Sequence, residues 1–97
     1  MKRKYLLFSL LLAGSSLYAQ EWPAVRPEAR PATRWWWLGS AVDATNLTYN
    51  LEEYAKAGLG GVEITPIYGV QGNDKNNLPF LSPQWMNMLQ HTEAEGK

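Results

Sequence analysis

The sequence predicts an α/β fold in which strand, helix, strand and helix follow one another. Three observations predict it. Two short apolar runs, "RWWWL" at 34–38 and "GVEITP" at 61–66, have strand composition. Between them Leu47, Leu51, Tyr54, Ala55 and Gly58 recur at three- and four-residue spacing, the signature of an amphipathic helix. After the second run, "SPQW" opens a further helix, with Ser82 as N-cap and Pro83 at the first helical position.

Each element follows in chain order. Lys2, Arg3 and Lys4 precede the apolar run "YLLFSLLLAG", and "SSLYA" follows. That order marks residues 1–19 as a secretory signal peptide cut after Ala19, because the run is too short to span a bilayer. The expected location is periplasmic or secreted. Residues 20–33, "QEWPAVRPEARPAT", hold three prolines and no period, so they read as an extended lead-in. Residues 34–97 form the folded body. In it "GSAVD" turns the chain after the first strand, and Asp43 or Thr45 caps the helix. Gly58 suits the left-handed position just past that helix's end. Pro66 stops the second strand at a place where the lost N–H does least harm. Residues 67–81, "IYGVQGNDKNNLPFL", make a loop longer than the usual strand-to-helix connection, and such loops are often functional. Trp85, Met88 or Leu89, and Thr92 mark the inner face of the last helix.

Composition excludes several function classes. Cleavage leaves 78 of the 97 residues, with six basic against nine acidic side chains and a net charge near −3. A nucleic-acid partner wants clustered Lys and Arg, which this chain lacks. Without cysteine there is no disulfide scaffold and no thiolate metal site, and one histidine, His91, cannot hold zinc alone. A body this small, without disulfide or metal, has a thin stability margin.

Parallel strands joined by a helical crossover explain the element order. A lone two-stranded parallel sheet leaves both edges open and one face bare. The expected architecture is therefore the first two β/α units of a TIM-type (β/α)8 barrel, incomplete in this chain, since such a barrel takes about 250 residues. A short open sheet is the alternative.

Candidate site residues come from strand alternation. Val62 and Ile64 share one face of the second strand; Glu63 and Thr65 share the other. An ionised carboxylate in an apolar strand needs a partner or a task. In a barrel the Val62 and Ile64 face lies under helices, and Glu63 with Thr65 points at the mouth. The other use for the charge is a buried ion pair with Arg34 on the neighbouring strand. Of three consecutive tryptophans, Trp35 and Trp37 share a face and Trp36 takes the other. A Trp ring offers a flat face to the C–H side of a sugar and an N–H to a hydroxyl. Trp37, at the strand end, is the expected ligand contact. In the long loop Asn73, Asp74, Asn76 and Asn77 offer oxygens that a calcium ion could use, although ordinary solvated loop polarity accounts for them better.

"RPATRWWWLGSAVDATNLTYNLEEYAKAGLGGVEITPIYGV", with "LSPQWMNMLQHT" further on, resembles the N-terminal region of bacterial α-L-rhamnosidases of glycoside hydrolase family 106. The resemblance covers roughly residues 22–97. It implies the N-terminal portion of an exported enzyme that removes terminal L-rhamnose from plant polysaccharides or glycosides, with inversion and with calcium. Its catalytic carboxylates would lie on later strands, so no catalytic residue is carried over here. The partners implied are a rhamnose-containing oligosaccharide or glycoside and the remainder of the barrel. Glu63 matches a family position on the second strand and is expected to contact a sugar hydroxyl or a calcium ion; Trp37 and Thr65 are expected to contact substrate. Two other readings stay open: a short exported sugar-binding module without catalysis, and a truncated product without function.

Overall fold

A computed structural model of the chain describes residues 21–97. The signal peptide expected over 1–19 lies outside the described residues. Among the described residues, no helix is long and apolar enough to cross a membrane.

The order is strand, helix, strand, helix: β1 (Ala32–Leu38), α1 (Ala44–Lys56), β2 (Gly61–Ile67) and α2 (Pro83–Glu95). β1 and β2 pair in parallel, with Arg34 opposite Glu63, Trp36 opposite Thr65 and Leu38 opposite Ile67. β1 starts two residues earlier than its composition announces, because Ala32 and Thr33 already pair with Gly61 and Val62. Pro66 does not end β2. It stands opposite Trp37 at an open edge, where its missing N–H removes no ladder bond, and the strand runs on to Ile67. The lead-in carries one 3-10 turn, Pro27–Ala29, and is fastened where the Gly60 N–H donates to the Pro31 carbonyl at 2.9 Å.

Local chemistry sets the helix ends. The Asp43 carboxylate accepts from the Asn46 backbone N–H at 2.9 Å and caps α1. At the other end Gly58 has φ +90°, and Gly58 N–H and Leu59 N–H donate to the carbonyls of Ala55 and Tyr54. These two bonds make a Schellman ending, which needs the left-handed residue that glycine supplies. Ser82 Oγ accepts from the Trp85 N–H at 3.2 Å and starts α2, with Pro83 in the first turn.

One core holds the elements together. Trp35 and Trp37 from β1, Leu47 from α1 and Trp85 from α2 are buried, with Val62 and Ile64 of β2 packed against them. The rings meet edge to face, Trp35 on Trp37 at 5.9 Å and Trp37 on Trp85 at 6.0 Å, an arrangement the ring quadrupoles favour. Across the helices the Thr48 hydroxyl and His91 Nε2 are hydrogen-bonded at 2.8 Å.

The barrel expectation is corrected here. The described residues form a small mixed α/β unit: a two-stranded parallel sheet with two helices on its Trp35 and Trp37 face. A barrel requires strands that tilt, stagger and close on one another. This sheet has order β1-β2 and no further strand among the described residues, so nothing in it closes. The short open sheet is the architecture found.

Candidate functional site

The sheet face away from the helices presents Arg34, Trp36 and Leu38 from β1, and Glu63, Thr65 and Ile67 from β2. Alternation within each strand and the pairing register put these six together. Arg34 Nε donates to Glu63 Oε2 at 3.4 Å, with the two side chains 60% and 68% exposed. The pairing of Glu63 with Arg34 that the sequence offers therefore exists, but in solvent rather than in a core. Trp36 stands one pair along, 60% exposed, opposite half-buried Thr65, whose hydroxyl donates to the Glu63 carbonyl at 3.3 Å.

Two of the three expected site residues, Glu63 and Thr65, are thus brought together. Trp37 is not with them. It lies on the opposite face, 1% exposed, with its indole N–H buried and unpartnered. The tryptophan on the Glu63 face is Trp36. Within β1 alternation separates Trp36 from its neighbours, but only the register with β2 says which of them shares a face with Glu63.

At the carboxyl ends of both strands the face runs into a groove of about 520 Å³. Gly39, Tyr68, Asn77 and Phe80 are among its walls. The Asn77 carboxamide is wedged between Gly39 and Gly69. A side chain on Gly39 would collide with Asn77 Oδ1, and one on Gly69 would come within 2.7 Å of Asn77 Nδ2. The Asn77 N–H donates to the Asp74 carbonyl and the Leu78 N–H to Gly39, both at 3.1 Å, so the loop is strapped across the end of β1. Asn77 Oδ1 is shut off from solvent and has no hydrogen-bond partner. Sequence reasoning singles out Asn77 only as a possible calcium ligand, because no local pattern foretells a contact with Gly39.

Two of the loop side chains offered to calcium, Asn73 and Asn77, are engaged elsewhere. Asn73 Oδ1 is taken up by Asn76 Nδ2 at 2.6 Å, and Asn77 is turned into its glycine cradle. Among the described residues no three His, Cys, Asp or Glu side chains converge.

The open face can do three things chemically. Trp36 offers an apolar ring face, Thr65 a hydroxyl, and the Arg34 and Glu63 pair offers both donors and acceptors. Glu63 is the only acid among these six side chains, whereas most glycoside hydrolases use a pair of carboxyl groups. The chain matches no protein-family model, no curated protein and no solved structure.

Proposed function

We propose that the chain supplies sugar-binding surface to an exported α-L-rhamnosidase-like glycoside hydrolase acting on terminal L-rhamnose of plant polysaccharides or glycosides. The resemblance of "RWWWLGSAVD" and "AGLGGVEITPIYG" to family 106 supplies the sugar. The basic start and apolar run of the first residues support export. The observation that carries the binding role is the exposed Trp36 ring beside Thr65 and the Arg34 and Glu63 pair. A ring with hydrogen-bonding groups at its border suits a saccharide, which has C–H faces and hydroxyl edges. A second reading, sugar binding without catalysis, is favoured by the single carboxylate on this face.

Calorimetric titration of the full chain with methyl α-L-rhamnopyranoside tests the binding role. An aromatic contact is worth about 0.5–1.5 kcal/mol. Trp36→Ala should then weaken binding by about 2- to 10-fold. Absence of binding, or binding indifferent to Trp36, would remove this reading. Hydrolysis of an aryl rhamnoside by the chain alone would overturn the assignment of binding without bond cleavage to these residues.

A further inference from the structure

We infer that the groove at the carboxyl ends of β1 and β2 is a second subsite, and that it takes a neutral, hydroxyl-bearing ring, a sugar residue, against Tyr68 and Phe80. This rests on the carbohydrate reading above and adds a place and a ligand class to it. Four observations converge. The groove lies outside the carboxyl ends of the two parallel strands, and its volume of about 520 Å³ falls in the range of small-molecule sites.

Among the described residues no charged side chain lines it. A phosphate, a nucleotide or a metal ion would lack a counter-charge there, whereas an uncharged ring would not. Tyr68 and Phe80 are large rings left 85% and 66% exposed on its walls. Phe80 is held in place edge to face on Trp85 at 4.9 Å while most of its surface stays free. Phe80, anchored yet exposed, and the open Tyr68 ring suit stacking on the C–H face of a saccharide.

Backbone strain collects around the same groove. Ser40 on its wall has φ +48°, and Leu81, next to Phe80, has φ +62°. These are the two non-glycine residues in the left-handed region among those described. Such conformations are costly for residues with side chains and gather at ligand sites. The unpartnered Asn77 Oδ1 lies in the same wall, a further unfavourable arrangement held by the surrounding structure.

The test is an NMR titration of the full chain with methyl α-L-rhamnopyranoside, following aromatic and backbone signals. Inorganic phosphate serves as the charged control, and circular dichroism checks that each variant folds. The expected result is movement of Tyr68 and Phe80 signals that persists in Trp36→Ala. Tyr68→Ala should weaken that response by about 2- to 10-fold. Phe80→Leu, which keeps an apolar cover on Trp85, should weaken it similarly. Movement confined to Trp36 and Thr65 would overturn the groove and leave the open-face reading standing. Movement of the groove signals alone would support the groove and remove the open face. The same movement with phosphate would overturn the neutral ligand class, and no movement at all would remove both sites.

Discussion

The indole N–H of Trp85 donates to Ser40 Oγ at 3.0 Å, a buried bond between α2 and the turn that follows β1. Ser40 has φ +48°. Ser40→Ala keeps the strained backbone and leaves a buried N–H unpaired, which costs about 1–3 kcal/mol. Ser40→Gly loses the same bond but relieves the backbone, so it should unfold at a higher urea concentration than Ser40→Ala. Urea unfolding followed by circular dichroism ranks the three proteins. Equal midpoints for wild type and Ser40→Ala would show that the bond contributes nothing.

Glu63→Gln should leave stability almost unchanged. The pair with Arg34 is solvent-exposed at both ends, and exposed pairs contribute about 0–1 kcal/mol. A buried pair broken on one side would instead cost about 3–5 kcal/mol. Thermal melts of wild type, Glu63→Gln, Arg34→Gln and the double variant measure the coupling. A coupling above about 1 kcal/mol contradicts the solvent-exposed geometry.

Adjacent tryptophans should respond in opposite ways. Trp37→Ala empties the centre of the core and should cost about 3–5 kcal/mol. In a chain with four buried apolar side chains in its core cluster, that is enough to abolish the cooperative transition. Trp36→Ala changes an exposed ring and should stay within about 0.5 kcal/mol. Urea unfolding of the two variants side by side decides it, and similar losses would mean that the two faces are wrongly assigned.

Asp43 makes the cap of α1 pH-dependent. Its carboxyl is held below its ordinary value of 3.8, first by the Asn46 backbone N–H and then by the Asn46 side chain. A depressed folded-state value means stability that is complete above the ordinary value and lost as the pH falls through the depressed one. Helix content of the wild type should therefore decline below about pH 4 more steeply than that of Asp43→Asn, which still caps but does not titrate. Circular dichroism at 222 nm against pH compares them, and parallel curves would show that the cap's charge has no part in acid unfolding.

Signals that act over a few residues were legible in the sequence. Asp43, Gly58 and Ser82 terminate their helices as their chemistry dictates, and the order of strands and helices follows from period alone. Alternation also separated Glu63 and Thr65 from Val62 and Ile64. What needed distance information was not legible. Trp37 was expected near Glu63 because of its place at the strand end, but the pairing of Arg34 with Glu63 puts Trp36 on that face. The barrel was inferred from the exposure of a two-stranded sheet, yet both helices settle on the one tryptophan cluster and leave the sheet open. The contact of Asn77 with Gly39 joins residues far apart in sequence, and neither one's neighbours announce it.

That contact constrains how the chain can change. A methyl group at position 39 or 69 occupies space already filled by the Asn77 carboxamide. Either substitution requires the Asn77 carboxamide to swing aside or to give way to something smaller. Positions 39, 69 and 77 therefore form an epistatic trio: the order in which they mutate matters, and some orders pass through a collision. A glycine lost first forces the Asn77 carboxamide out of its seat, while an Asn77→Gly change made first leaves room for a later alanine, although Gly39 would still have to accept φ +63°. Drift at the mouth of the groove is thus gated by a side chain that itself makes no hydrogen bond through its oxygen.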